Sequence, residues 1–480
     1  MIDPSKTKII LGPPGTGKTT TLINIVGELT QNRDIPVEKI GYFTFTRDAA
    51  LEAKRRLNLK GSRSQYFSTL HALSKRELGI DSSEILTEKI LRVFVEQNLD
   101  LAKGTVASSR DEERKMSMYA FLEYMQNTGQ NAEQAFRDHS FTNFTVAQVE
   151  SLAQDVEQYK KETGLYSFSD MIRLYTKSLQ GVKTGPVEYL IIDEAQDLTP
   201  LQWRLVEELS QTVKEVYIAG DDDQAIYQWS GADVDYFIDL QGDVRVLDKS
   251  YRLPRAVFDK AQSIVGRIKH RRPKIWAPRD EEGSVRNILA LDQLDLTKDS
   301  WMILVRNQAH VRKLKHHFER HGIIFMDETR MNHYSVARSI LDWLLAIDRW
   351  QRGSRAPSDI PIIEKHTTFS KNVWHEMDWI DLLNKPKMSN RLIAYISKIK
   401  KAGANQAISD LRSKRVILTT MHRSKGRECK NVIAMDHMSK KTWYGFSFDR
   451  DAEYRVRYVA FTRALQNLYI LGGSRRGIHV

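Results

Sequence analysis

The sequence predicts an α/β protein built on two parallel-sheet domains, each interrupted by a mainly helical insertion. Three observations carry that expectation. Short apolar runs recur with helix-favouring stretches between them, the pattern of parallel strands joined by crossover helices. The runs fall into two sets, one from Thr7 to Leu247 and one from Trp301 to Leu471. Between Ser74 and Tyr166, and again from about Asn332 to Ser413, the chain is charged, helix-favouring and poor in strand signals, so each set is broken once. The expected boundaries are residues 1–74 and 166–249 for the first domain, with 75–165 inserted, and 250–331 and 414–480 for the second, with 332–413 inserted.

Taken in order, the first apolar run, Thr7–Leu11, leads into a G-x-x-x-x-G-K-[ST] match and then a helix-forming stretch. Gly12, Pro13, Pro14, Gly15, Thr16, Gly17, Lys18, Thr19 and Thr20 form the expected phosphate cradle. Gly15 and Gly17 let backbone N–H groups approach phosphate oxygens, Lys18 adds a point charge, and Thr19 offers its hydroxyl to Mg²⁺. The run Lys39–Thr46 follows, and then Glu188–Asp193, which ends in the adjacent acids Asp193 and Glu194. Opposite a phosphate cradle, Asp193 can hold Mg²⁺ through water while Glu194 orients and deprotonates an attacking water. Val216–Gly220 and Val244–Leu247 complete the first set; Trp301–Arg306, Val416–Met421, Val432–Met435 and Leu468–Leu471 make the second. In the second insertion, the Gly and Pro content of Gly353–Pro361 marks a loop or hinge. The basic clusters Arg267 to Lys274 and Arg312 to His317 read equally well as solvated helix faces or as phosphate-tracking surfaces.

Composition narrows the partner. Across 480 residues the 73 Lys and Arg outnumber the 61 Asp and Glu, a net charge of +12 that favours an anionic partner through counterion release. No apolar run approaches the roughly 18 residues of a membrane span, and Met1-Ile-Asp-Pro-Ser-Lys lacks a secretory signal's apolar segment. The single cysteine, Cys429, excludes an intrachain disulfide and a cysteine-based zinc site. A cytoplasmic protein is expected, in a bacterial cell or a phage-infected host.

Five further segments make the pattern specific: Asp193-Glu-Ala-Gln-Asp197, Gly220-Asp-Asp-Asp-Gln-Ala-Ile-Tyr-Gln-Trp229, Ser250-Tyr251-Arg252, Met421-His-Arg-Ser-Lys-Gly-Arg-Glu428 and Tyr458-Val-Ala-Phe-Thr-Arg463-Ala464. Together with the phosphate cradle, and in this order, they resemble the motifs of superfamily 1 DNA helicases of the UvrD, Rep and PcrA type. The resemblance covers both motor domains and neither insertion. It implies two RecA-like P-loop domains that hold ATP and Mg²⁺ in their cleft and move 3′ to 5′ along single-stranded DNA. Carried over by motif position, Gln224 is the γ-phosphate sensor and Tyr251 the ring stacking on adenine. Arg252 and Arg463 are the arginines that reach the γ-phosphate from the second domain, and Glu428 is the ribose-contacting acid. For the DNA track the family's positions fall on Phe45, Thr46, Thr69, His71, Tyr227 and Trp229; His422 joins the motor's hydrogen-bond network there. Aromatic faces suit such a track, because every base can stack on them. Core aromatics are the alternative reading of Phe45, Tyr227 and Trp229.

The chain departs from the family at Arg47-Asp48, Ser230, Ser250, Arg427 and Cys429, where relatives carry Asn-Lys, Arg, Asn, Leu and Phe. The expected activity is an ATP-dependent helicase working as a monomer on single-stranded DNA and on tailed or forked duplexes, alongside replication, repair or recombination proteins. A translocase that strips proteins or remodels strands without processive unwinding, and a nucleotide-regulated DNA-binding switch, are the alternatives.

Overall fold

The computed structural model describes residues 1–87, 89–94, 120–138, 145–329, 333–336, 338–382, 390–402, 415–472 and 477. Parts of both expected insertions (among them 95–119, 139–144, 383–389 and 403–413) lie outside these. The described chain divides into two compact units: Met1–Arg252 with Ile268–Arg279, and Leu253–Arg267 with Asp280–Val480.

In the first unit six strands, β1 (Thr7–Leu11), β2 (Ile40–Thr44), β3 (Phe67–Ser68), β4 (Tyr189–Asp193), β5 (Glu215–Gly220) and β6 (Asp243–Val246), form one sheet in the order β3-β2-β4-β5-β1-β6. Every pairing in it is parallel. A parallel sheet needs crossovers, and helices over both faces bury it on both sides. Alternate residues therefore enter two different cores. Ile9, Leu11, Leu190, Ile192, Val216 and Ile218 pack with Trp203, Leu205, Val206 and Leu209 of the helix Pro200–Gln211. Ile10, Ile191, Tyr217 and Ala219 pack instead with Leu22, Val26 and Leu29 of the helix Lys18–Gln31, whose spacing repeats one helical face. Truncating a residue such as Leu22, fully buried, to alanine costs about 2–5 kcal/mol. The crossover from β3 to β4 carries a small helical core of its own, in which Phe121 and Leu122 meet Val149, Leu152 and Val156 of the helix Val146–Thr163. Thr145 and Gln148 close a capping box at the start of that helix, and Gly164, at φ 68°, ends it.

The second unit has seven strands: β7 (Ser284–Ile288), β8 (Trp301–Val305), β9 (Met326–Asp327), β10 (His333–Tyr334), β11 (Val416–Thr420), β12 (Cys429–Met435) and β13 (Ala464–Leu471). Their order is β10-β9-β11-β8-β12-β13-β7, parallel throughout except for β10 against β9. Ile303, Leu418 and Ile433 meet Leu314 and Phe318 of the helix Val311–Arg320 on one face. Between β10 and β11 the helices Arg338–Gln351, Ile360–Glu364, Trp379–Leu382 and Asn390–Ala402 build a second core, around Trp343, Trp374 and Ile396.

Several local expectations change. The β3, β7, β9 and β10 strands carry no apolar run long enough to announce them. Gly353–Pro361 is only partly a loop: Gly353 turns the chain at φ 95°, but Pro357–Asp359 is a 3-10 turn and Pro361 sits in the first turn of a helix. Its position is fixed by Asp359, which accepts two hydrogen bonds from Arg349 at 3.0 and 2.6 Å. Of the two basic clusters, Arg312, Lys313 and His316 do form a solvated helix face. The stretch from Arg271 to Lys274 is neither a helix face nor a phosphate track, because its side chains are spent on acids and carbonyls within the first unit.

Candidate functional site

The first unit gathers its chemistry at the carboxyl ends of its strands, where a parallel sheet presents its loops. The Gly12 N–H donates to the Gly220 carbonyl at 3.0 Å, tying the loop after β1 to the end of β5. Gly15 lies at φ +74°, and a Cβ there would stand 2.2 Å from the Arg252 Cβ, so only glycine fits. From the same side, Ser250 Oγ donates to the Pro14 carbonyl at 2.7 Å and the Tyr251 N–H to the Gly15 carbonyl at 2.8 Å. These bonds explain why Arg252, expected on the second domain, groups with the first unit. They also give the departure at Ser250 a partner. Gly17 at φ +85° opens the helix Lys18–Gln31 without a side-chain cap, leaving first-turn N–H groups directed at the loop. Thr16 Oγ1 donates to the Pro13 carbonyl at 2.8 Å, and Thr20, exposed, accepts from Arg56 at 3.0 Å.

Lys18 Nζ lies 3.1 Å from the Gly12 carbonyl and 3.4 Å from Glu194 Oε1. Thr19 Oγ1 donates to Asp193 Oδ2 at 3.2 Å, and the Tyr42 hydroxyl donates to the same oxygen at 3.0 Å. Burial first, and the neighbouring Glu194 charge second, push the Asp193 carboxyl up to about 6, against the pull of Lys18. Glu194 occupies the left-handed region at φ 55°, a conformation rare for a non-glycine residue and one that clusters at functional sites. Gln196 bridges outward from it: its Nε2 donates to Glu194 Oε2 at 2.6 Å, and its Oε1 accepts from the Asp221 N–H at 2.9 Å. Asp221 Oδ2 in turn accepts from Gln224 Nε2 at 2.8 Å. Lys18, Thr19, Asp193, Glu194 and Gln224 thus form one connected polar set. Tyr251 stands beside the loop, 72% exposed.

A second feature of this unit is a row of aromatic rings. Phe45 and Tyr227 stack at 5.1 Å with 22° between planes, and Trp229 follows at 6.5 Å from Tyr227. Phe45 and Tyr227 are half-buried while Trp229 is 54% exposed, so the row runs from the fold to the surface rather than into a core. Asn127 of the inserted helix 120–128 donates to the Ser230 carbonyl at 3.1 Å, bracing the loop that carries Trp229. Thr46 and Thr69 cap the helices Arg47–Arg56 and Leu70–Glu77, accepting from Ala49 and Ala72 N–H groups. A cleft is lined by Phe45, Thr69, His71 and Gln202. Burial, and secondarily the Arg47 charge, lower the His71 imidazole to about 4, so it is neutral near pH 7.

In the second unit Arg463 is buried, donating to the Val459 and Arg427 carbonyls at 2.8 and 3.2 Å and to Thr462 Oγ1 at 3.0 Å. Glu428 is exposed. His422 is lowered to about 3 by burial and by the charges of Arg306, Arg457 and Lys425. Arg427, another departure, pairs with Glu328.

Tyr42, Gln196, Asp221 and Lys274 belong to the polar set without having been expected there. Gln196 and Asp221 at least stand within quoted motifs; nothing in the sequence singles out Tyr42, and Lys274 showed only as part of a basic cluster.

Two family models match the chain: the UvrD/REP helicase N-terminal domain over residues 2–245 and the UvrD-like helicase C-terminal domain over residues 361–473. The chain belongs to the UvrD/REP helicase family. Its two α/β units are accordingly RecA-like. Among relatives, the ATP-dependent DNA helicase PcrA of Staphylococcus epidermidis is 25% identical over 351 residues, covering 66% of this chain and 48% of that protein. PcrA of Staphylococcus aureus is 22% identical over 322 residues, covering 64% and 44%. The chain spans about half the length of the curated relatives it matches. Among solved structures, the PRRSV helicase aligns over 97% of this chain and 52% of its own at 12% identity, with a TM-score of 0.35. No described helix of this UvrD/REP family member is long and apolar enough to cross a membrane.

Proposed function

We propose that the chain is an ATP-dependent DNA helicase that moves 3′ to 5′ on single-stranded DNA and opens tailed or forked duplexes. The observation that carries this reading is the connected set Lys18, Thr19, Asp193, Glu194 and Gln224 at the carboxyl ends of β1, β4 and β5.

The residues fit ATP with Mg²⁺ on two counts. The loop has room for backbone alone at two positions, a Cβ meeting the Lys18 side chain at Gly12 and the Arg252 Cβ at Gly15, as suits a cradle of backbone N–H groups. The Thr19 hydroxyl and Asp193 carboxylate converge at 3.2 Å, the hard oxygen donors that Mg²⁺ takes. Thr19 and Asp193 would hold the ion, which when bound neutralises charge on the phosphates. Lys18 and the first-turn N–H groups bind phosphate oxygens. Glu194 orients a water and takes its proton as the water oxygen bonds to the γ-phosphorus and the bond to ADP breaks. Gln224 senses the γ-phosphate, Tyr251 stacks on the base, Glu428 contacts the ribose, and Arg252 and Arg463 supply cations for the charge that spreads in the transition state. Phe45, Tyr227 and Trp229 give bases a stacking track, with Thr46, Thr69, His71 and His422 beside it.

The test is ATP turnover with and without single-stranded DNA, followed by unwinding of duplexes bearing 3′ or 5′ tails. DNA-stimulated turnover and opening of 3′-tailed duplexes support the reading. Turnover indifferent to DNA, or a preference for 5′ tails, refutes it.

A further inference from the structure

We infer that Lys274 is a positioning residue for hydrolysis: through Asp221 it fixes both Gln224 and Glu194, the groups assigned to the γ-phosphate and the attacking water. The inference rests on the proposed reading of the first unit as an ATP hydrolase.

Lys274 has no exposed side-chain surface, and its Nζ lies 3.0 Å from Asp221 Oδ1, 2.5 Å from Asp222 Oδ1 and 2.9 Å from Asp223 Oδ2. The ammonium hydrogen-bonds Asp222 and pairs its charge with Asp221 and Asp223 as well. Burial alone would lower the lysine, but the surrounding acids outweigh it and keep the group charged. The three acids are not equivalent. Asp223 is also gripped by Arg271 through two bonds at 2.7 and 2.6 Å, and Asp222 accepts the Arg272 N–H at 2.8 Å. Asp221 is the one that leads to the chemistry.

With Oδ1 on Lys274, Asp221 has Oδ2 turned to Gln224 Nε2 at 2.8 Å. Its N–H meanwhile reaches Gln196 Oε1 at 2.9 Å, and Gln196 passes the constraint to Glu194 at 2.6 Å. The fold keeps that bridge open: a Cβ at Gly220 would stand 2.6 Å from Gln196 Oε1. Three adjacent buried carboxylates repel one another, so the central cation offsets a repulsion that would otherwise work against the bonds Asp221 accepts from Gln224 and from the Asp223 N–H. The lysine arrives on the segment Ile268–Arg279, which packs into the first unit although the chain on either side of it belongs to the second. Arg272 Nε anchors the segment independently, donating to the Ile238 carbonyl at 2.7 Å.

The test compares kcat under saturating single-stranded DNA with equilibrium binding of a non-hydrolysable fluorescent ATP analogue, in the full chain. Lys274→Met alone strands three acids and can fail to fold. The double variant Lys274→Met/Asp222→Asn removes one charge of each sign, and Asp221→Asn leaves Lys274 two carboxylates. Both are expected to lose about tenfold to a hundredfold in kcat, the usual cost of removing groups that orient a reacting shell from behind. Analogue affinity should stay within about threefold, or some 0.7 kcal/mol. Arg272→Met, which loosens the segment without touching Asp221, should lower the melting temperature while leaving kcat of the folded protein unchanged. Parental kcat in the double variant or in Asp221→Asn overturns the proposal, as does a loss of analogue affinity in step with kcat. If the unaltered chain turns over no ATP, the hydrolase reading fails first.

Discussion

Replacing Trp229 by alanine separates a DNA platform from a structural aromatic. A tryptophan side chain buries roughly 150–250 Å² when fully covered, and Trp229 is 54% exposed, so about 100 Å² is open to a stacked base. At about 25 cal/mol per Å², covering that area contributes about 2.5 kcal/mol. Stacked bases are typically worth about 1–3 kcal/mol each, and the lower part of that range allows for a base that covers only part of the face. Trp229→Ala should therefore weaken single-strand binding by about 1–2.5 kcal/mol, roughly 5-fold to 70-fold. The affinity is measured by fluorescence anisotropy of a labelled oligonucleotide at fixed salt, since phosphate contacts make it salt-dependent. Thermal unfolding is followed on the same sample. Trp229 meets Tyr227 at 6.5 Å and 60°, a loose contact, so the melting temperature should move by only a few degrees. Phe45→Ala is the contrasting variant: that ring is half-buried and stacked on Tyr227 at 5.1 Å, so both affinity and stability should fall. A Trp229→Ala protein that binds DNA like the parent, or that unfolds in step with any loss of binding, refutes the platform.

Three further outcomes follow from the same geometry. Glu194→Gln retains size and keeps an acceptor for Gln196 but cannot take a proton, so it should bind ATP and lose about 10²–10⁴ in turnover, read by single-turnover hydrolysis against analogue binding. Arg463→Ala should lose about 10³–10⁵ in kcat if it acts as the transition-state cation, with some loss of stability because its guanidinium is bonded to Val459 and Arg427 carbonyls. His71, lowered to about 4 in the fold, stays neutral where the unfolded chain's imidazole protonates near 6.5. The unfolded state thus binds more protons between those values, and the stability that His71 contributes is lost as pH falls from about 6.5 towards 4. The loss should reach about 1–2 kcal/mol at pH 5, and His71→Gln should remove that slope from urea unfolding curves measured at pH 7 and pH 5.

What the sequence made legible is what lies close together in the chain. The loop from Gly12 to Thr19 and the pair Asp193-Glu194 are consecutive residues, each at the end of an apolar strand, so both chemistry and placement could be read locally. The strands that escaped are short or polar: β3, β9 and β10 have two residues each, and β7, Ser-Val-Arg-Asn-Ile, is the last strand of the described sheet and exposes Arg286 and Asn287. The supporting groups escaped for a different reason. Tyr42 reads as one more residue of an apolar strand, yet its hydroxyl reaches Asp193 from 151 positions away because β2 pairs with β4. Lys274 reads only as part of a basic cluster, solvated or phosphate-tracking, yet the charges that define it sit about 50 positions earlier, on the turn after β5.

Hydrophobic periodicity reports which face of an element is covered, and a motif reports which groups can react, but neither reports how a loop residue is restrained after the chain has returned. In this fold the restraint comes from returns of that kind. Ser250 comes back to the Pro14 carbonyl, Tyr42 to Asp193, and the Arg271–Lys274 stretch to three aspartates, so the reacting groups sit on loops whose positions are set elsewhere. Substitutions at Tyr42 and Lys274 should therefore change turnover more than they change nucleotide binding, because neither side chain touches the cradle, which backbone bonds such as Gly12 to Gly220 help to hold.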